Sequence, residues 1–251
     1  MTDRRAFLRT SLLALGGAAL TGCDGISQSE TGAKVLESAE GVTRRVQRLL
    51  SPSSALAKEF TEADISAVFK PNGTTMPDTA LYQSLLEGGF ADYRLAVDGL
   101  VQRPAELTLD ALKTLGTRTQ ITRHDCVEGW SVIGKWKGTP LAALLDHVAP
   151  KPEARYVVFH CFDDMEEDTP YYESIDLTEA RHPQTLLAWM LNDAVLPVAN
   201  GAPLRLRVER QLGYKHAKYL RRIELVGNFD GIGDGNGGYW EDNGYEWYAG
   251  I

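Results

Sequence analysis

The spacing of hydrophobic positions changes along this chain, and with it the structure it predicts. Val35, Leu36, Val42, Val46, Leu49 and Leu50 recur at helical spacing with charges between them, an amphipathic helix closed by Pro52. Phe69-Lys70-Pro71-Asn72-Gly73 breaks the pattern and predicts a loop. Tyr93 to Val97, followed by Asp98-Gly99, reads as a strand entering a tight turn. Thr108 to Leu115 predicts a short helix with Thr108 as its cap. Thr139-Pro140 opens a stronger one, with Thr capping and Pro at the first helical position. Leu141, Leu144, Leu145 and Val148 form its apolar face. Tyr156 to Phe162 is a β-branched and aromatic run expected to be a buried strand. Leu204, Leu206 and Val208 alternate with Arg205, Arg207 and Glu209, which predicts a half-exposed strand, and Arg222 to Val226 reads the same way. Strands and short helices are interspersed without regular βαβ spacing, so the fold class expected is α+β, with mixed sheets and long ordered loops. The segment from Asn228 to Ile251 is rich in glycine and acid. Its Trp240, Trp247 and Tyr248 predict packed loop, since disorder is depleted in aromatics.

The first residues carry a different signal. Arg4-Arg5-Ala6-Phe7-Leu8-Arg9 and the short apolar run Ser11 to Leu20 read as a twin-arginine export signal, which a receptor recognises on a folded protein. Leu20-Thr21-Gly22-Cys23 has the form of a lipobox, so a lipid anchor at Cys23 on a periplasmic domain is expected. The organisation read from this is a signal with lipobox over 1–23, a polar tether and amphipathic helix over 24–52, and a catalytic domain over 53–251.

Charge narrows the partners. With Arg4, Arg5, Arg9 and Asp3 set aside, 23 basic residues face 33 acidic ones, a net charge of -10 that argues against nucleic acid. Against that background the stretch from Arg205 to Arg222 holds seven cations and the single acid Glu209. It reads either as the seat of a bound anion, with the turn Gly213 to Lys218 aiming backbone N–H groups and two lysines at a phosphate, or as a solvated strand edge. Two cysteines, Cys126 and Cys161, remain besides Cys23, too few for a disulfide scaffold. Free cysteines are often core fillers, but Cys126 stands among Asp125, Glu128, Gly129 and Ser131. Such a thiol can ligate a metal, or act as a nucleophile with His124, His160 or His216 as base. Zinc held by His124, Cys126, His160 and Cys161 is disfavoured. His160 and Cys161 are adjacent on a strand and point to opposite faces, and zinc-site spacings are missing. No Cys-x-x-Cys-His motif is present for haem.

Several short motifs stand in one order: Asp98-Gly99 with Arg103-Pro104, the Cys126 loop with Glu128 and Trp130-Ser131, and Gly138-x-Pro140-Leu141. Asn200-Gly201-Ala202-Pro203-Leu204-Arg205 and Gly213-Tyr214-Lys215-x-x-Lys218 follow. In combination, from about Phe69 to Val226, they resemble the sulfite-oxidase superfamily of molybdenum enzymes, in particular the bacterial periplasmic branch of methionine-sulfoxide reductase catalytic subunits. The resemblance implies a molybdenum-molybdopterin cofactor (a Mo-pyranopterin) with Cys126 as metal ligand. It implies Asn72, Glu128, Cys161, Asn200, Arg205, His216, Ala217 and Lys218 as cofactor-binding positions, Cys161 standing where the branch has a threonine. The anion of the basic stretch then becomes the pterin phosphate. Sulfite oxidases follow the ligand cysteine with an asparagine and arginines. Val127-Glu128-Gly129-Trp130 replaces them with an acid, so S- or N-oxide reduction is expected over sulfite oxidation. A small-molecule substrate, a monomeric catalytic subunit and a separate electron carrier such as a membrane haem subunit complete the expectation. Two other readings stay open: an anion-binding periplasmic lipoprotein on the same fold, and a cysteine hydrolase.

Overall fold

The computed structural model describes residues 52, 54–166 and 169–251. The expected export signal, lipobox, tether and amphipathic helix therefore lie outside the described residues. The strands are β1 (Leu95–Gly99), β2 (Ala105–Leu107), β3 (Arg118–Asp125), β4 (Ser131–Pro140), β5 (Tyr156–Glu166), β6 (Thr169–Asp176), β7 (Leu186–Leu191), β8 (Ala194–Val195), β9 (Arg205–Arg207) and β10 (Leu220–Val226). The α-helices are α1 (Ala80–Glu87), ahead of β1, then α2 (Leu109–Thr114), α3 (Leu141–Val148), α4 (Leu177–Ala180) and α5 (Tyr239–Asp242).

One sheet runs β2-β1-β10-β5-β6 and the other β3-β4-β7-β8, with β9 also paired to β7. One mixed sheet, one antiparallel sheet and several short helices make this the expected α+β fold. Parallel pairing of β1 with β10, Ala96 opposite Arg222, joins two segments far apart in sequence. The β3–β4 hairpin runs in register from Arg118 opposite Gly138 to Asp125 opposite Ser131, which leaves residues 126–130 as its connection. That connection carries Cys126.

Local sequence explains much of this. Thr108 caps α2 by accepting the Ala111 N–H at 3.0 Å. The expected apolar face of α3 is fully buried at Leu141, Leu144, Leu145 and Val148. Its cap departs from expectation: Thr139 donates to the Leu112 carbonyl at 3.0 Å instead of capping, and Pro140 is the cap residue. Thr139 lies in β4, where its hydroxyl satisfies a carbonyl at the end of a neighbouring helix. The first predicted strand is shifted and runs through Asp98-Gly99.

The largest difference concerns the strand expected to be half-exposed. Leu204, Leu206 and Val208 are buried, and so are Arg205, Arg207 and Glu209. The polar side of β9 faces a second interior rather than water. Both guanidinium groups stack over the Trp136 ring, at 5.1 and 4.4 Å from its centroid. Arg207 forks onto Glu209 at 3.0 and 2.6 Å. Arg210 meets Glu179 at 2.6 Å, while Lys215 meets Glu173 at 2.5 Å and also Glu241. A strand edge open to solvent, one reading of the basic stretch, is thereby ruled out for these four cations.

The tail is ordered, as its aromatics predict. Trp247 donates to Ser174 at 2.8 Å and packs edge-on against Tyr156, while Asp242 accepts from Asp234, Asn236 and Tyr172. It also forms the short helix α5, which composition did not indicate.

Candidate active site

A cleft of about 750 Å3, its mouth included, opens where the β3–β4 connection, the loop 72–74, the end of β5, the turn Gly213–Lys218 and the tail converge. The Cys126 N–H donates to Trp130 O at 2.9 Å, and Gly129, at φ +84, donates to Cys126 O at 3.0 Å. These bonds close a tight loop and fix the thiol at the cleft surface, 8% exposed. Burial raises the Cys126 thiol above its ordinary range. Glu128 pushes the same way, and Lys70 and the loop N–H groups oppose it. Trp130 donates to Glu128 at 2.8 Å, and Lys70 lies over the Trp130 ring at 4.6 Å.

The turn is seated on buried histidines. A side chain at Gly213 would meet His124 Nε2 at 2.6 Å, so glycine lets the backbone pass over that ring. His124 and His216 pack edge to face at 5.0 Å. Burial, then the neighbouring arginines, hold both well below the ordinary imidazole range, and both are neutral at physiological pH. Arg207 donates to His124 Nδ1 at 2.9 Å, so His124 carries its proton on Nε2. His216 Nε2 lies 3.0 Å from the Gln211 carbonyl, which can only accept. Its proton sits there and leaves Nδ1 as an acceptor.

Lys218 ties the cleft together by donating to Asn72 O at 2.6 Å, Ala199 O at 3.3 Å and Thr74 O. Burial lowers its pKa to about 7, Arg205 adds to the shift and Asp163 opposes it. Burial in turn lifts Asp163 to about 6. Arg205 donates to Asn200 O at 2.9 Å and His216 O at 3.2 Å. Gly201, at φ +111, lets Lys218 and Arg205 converge, for a side chain there would meet both at 3.0 to 3.1 Å.

Of the residues expected at the site, Asn72, Cys126, Glu128, His216 and Lys218 line this one cleft. Asn200, Arg205, Ala217 and Cys161 do not line it and are buried. The Cys161 thiol sits in the core at 4.0 Å from the Phe159 carbonyl, a packed position. His160 instead meets Glu224 at 2.9 Å, so the two adjacent residues do not converge. Of the two lysines expected to face an anion only Lys218 lines the cleft, because Lys215 is sealed between Glu173 and Glu241. Tyr171 lines the cleft, whereas Tyr172 bonds Asp242 and Asp176 caps α4. Sequence reasoning missed Thr74, Asp163, Met165, Trp240 and Tyr245 in the lining. An acid directly after the apolar run Tyr156 to Phe162 was the available signal for Asp163.

The chemistry of this donor set fits a pyranopterin. Asn72 Oδ1 and His216 Nδ1 in the cleft lining, and Asn200 Nδ2 and Arg205 Nε outside it, are buried with no partner among the described residues. Two are acceptors suited to ring N–H groups and two are donors suited to anionic oxygens, with Arg205 and Lys218 supplying positive charge. A soft thiolate position lies in the same cleft.

Comparison with known proteins agrees. The family model described as Oxidoreductase molybdopterin binding domain matches residues 85–229, from α1 to just past β10. Fold and cleft thus place the protein among the molybdopterin-dependent oxidoreductases. The chain belongs to this family, part of the sulfite-oxidase superfamily. It is 38% identical over 247 residues to the putative protein-methionine-sulfoxide reductase subunit YedZ1 of Azospira oryzae, covering 98% of this chain and 87% of that one. It is 37% identical over 177 residues to the protein-methionine-sulfoxide reductase catalytic subunit MsrP of Ralstonia nicotianae, covering 66% of this chain and 53% of that protein. The chain thus spans about half the length of the MsrP relative. The sulfane dehydrogenase SoxCD of Paracoccus pantotrophus shares the fold, with a TM-score of 0.50 at 23% identity over 54% of this chain and 38% of that one.

Proposed function

We propose that the protein is a molybdenum-cofactor oxidoreductase that removes the oxygen atom from a small S- or N-oxide. The observation that carries this reading is the cleft itself, in which the Cys126 thiol, unpartnered buried polar atoms and the Lys218 ammonium meet. The relatives named as methionine-sulfoxide reductase subunits support the S-oxide class. Cys126 would hold the metal through its thiolate, Asn72 and His216 would hold the pterin ring, and Arg205 and Lys218 the phosphate. When bound, that cofactor supplies the oxygen-accepting centre and a store of two electrons.

The chain's own residues do the rest. Reduction of an oxide to a sulfide and water takes up two electrons and two protons. Asp163 is 3% exposed with a pKa near 6 and a buried, unpartnered Oδ1, so it holds a proton beside the cleft at mildly acidic pH. Among the described lining residues, the acids Glu128 and Asp163 face the single cation Lys218, whose ammonium is bonded to three carbonyls. A neutral oxide suits that balance, and a sulfite dianion does not. This argues against sulfite oxidation and, with the family, against the lipoprotein and hydrolase readings.

The electrons would come from a separate partner, in keeping with the subunit names of the relatives, and a membrane haem protein is the kind expected. The twin-arginine run and Cys23 support export to the periplasm with a lipid anchor. Mass spectrometry of the mature N-terminus tests that part, and an unmodified Cys23 would end the anchor. Turnover assays on metal-loaded protein test the rest. S-oxides should be reduced faster than sulfite is oxidised, and the opposite order would overturn the reading.

A further inference from the structure

The tail lies beyond the family match, which stops at residue 229, yet it supplies two residues to the cleft, Trp240 and Tyr245. Their rings lie 5.1 Å apart at 31°, and Tyr214 closes edge-on against Tyr245 at 5.2 Å. Met165 and Tyr171 add further apolar surface to the same lining. Two cleft residues are also large exposed hydrophobics, Val127 at 47% and Tyr245 at 37%. An apolar lip on a protein of net charge -8 is a feature that solubility does not require.

The aromatic wall is built in firmly. Trp240 belongs to α5, whose next residue, Glu241, is buried on Lys215. Lys215 in turn meets Glu173 of β6 at 2.5 Å. Asp242 follows and accepts the N–H groups of Asp234 and Asn236 at 3.0 and 3.2 Å. The indole is thus carried on a turn fixed at two consecutive residues, which suits recognition of a shaped substituent.

We propose that Trp240 and Tyr245 form a specificity wall that receives the apolar substituent of an S-oxide, so that the enzyme prefers sulfoxides bearing aryl or extended alkyl groups over the smallest ones. The inference rests on the oxide-reductase reading and refines it. Sulfur and its methyl group pack favourably against aromatic edges, and a ring substituent stacks on indole, so the wall contributes binding without charge. The residues are specificity determinants that touch the substituent, while the proton and the metal are held by other groups.

The test uses the metal-loaded enzyme with methyl phenyl sulfoxide and dimethyl sulfoxide as paired substrates. Trp240→Ala should raise KM for the aryl substrate about five- to tenfold and for dimethyl sulfoxide less than about twofold. The kcat for either substrate and the molybdenum content should stay unchanged. Trp240→Phe should restore most of the loss, and Tyr245→Ala should show a smaller effect of the same sign. Equal changes in KM for both substrates, or loss of molybdenum in Trp240→Ala, would overturn the wall. Equilibrium binding of methyl phenyl sulfide to the same proteins separates this idea from the functional reading. A wild type that turns over no S-oxide yet binds the sulfide through Trp240 sinks the reductase reading and keeps the wall. A wild type that reduces sulfoxides with Trp240→Ala indistinguishable from it sinks the wall alone.

Discussion

Two kinds of buried cation come from one short stretch of sequence. Arg207, Arg210 and Lys215 each meet a carboxylate, from Glu209, Glu179, and Glu173 with Glu241. Arg205 and Lys218 bond only carbonyl oxygens in the described structure. The first group is charge-neutralised and fixes the architecture. The second has no carboxylate partner: Lys218 lines the cleft and Arg205 bonds the carbonyl of His216 in its lining, so a bound anion can balance them. Proximity in sequence therefore says little here about shared role, and the partner of each cation separates scaffold from site.

Removing a scaffold cation should have the largest effect on stability. Lys215→Met leaves two buried carboxylates without their counter-ion and should cost about 3–5 kcal/mol in urea unfolding. Glu173→Gln should cost much less, because Glu241 still neutralises Lys215 and the amide oxygen can still accept from its ammonium. An equal loss in both variants would mean that the pair is not organised around Lys215.

A site cation should behave the opposite way. Lys218→Met should cost less unfolding stability than Lys215→Met, since carbonyls rather than buried carboxylates lose their partner, but should lower retained pterin by at least about tenfold, as expected for a lost charge-assisted contact. Pterin content measured after gel filtration checks this, and unchanged content would place Lys218 with the scaffold.

The pH dependence follows from the same difference. Lys218 has a pKa of about 7 in the folded cofactor-free protein, below its ordinary value. Between pH 7 and its unfolded value the unfolded chain binds the extra proton, so stability should rise with pH across that window. The slope should reach at most about 1.4 kcal/mol per pH unit. Below pH 7 both states are protonated and the contribution is flat. Lys218→Met should remove the slope, and a slope that persists would have to come from another group.

The smallest effect is expected for Arg207→Lys, which keeps the charge but loses the fork onto Glu209. About 1–2 kcal/mol of stability should go, with little change in pterin content.

These contrasts mark what the sequence could and could not show. The Thr108 cap, the buried face of α3 and the strands β5 and β10 are local patterns, and they were legible. Arg205 and Arg207 alternating with leucines gives the same pattern on a wet surface and in a polar interior. Only the fold brings Trp136 to them, so that both guanidinium groups stack over its ring. The acids that neutralise Lys215 lie 42 and 26 residues away, so the basic stretch read as uncompensated. Motif position brought Cys126, His216 and Lys218 to one cleft. Asp163 and Trp240 enter it from a strand and a tail that carry no motif, and their presence depends on tertiary structure.

The central claim is that the Cys126 thiol is the protein's metal ligand in this cleft. Molybdenum analysis of wild type and Cys126→Ser, both produced in a host that makes the cofactor, tests it most directly. The account predicts about one molybdenum per wild-type chain and none in a Cys126→Ser protein that remains folded. A metal-free wild type, or a serine variant that keeps its molybdenum, would contradict it.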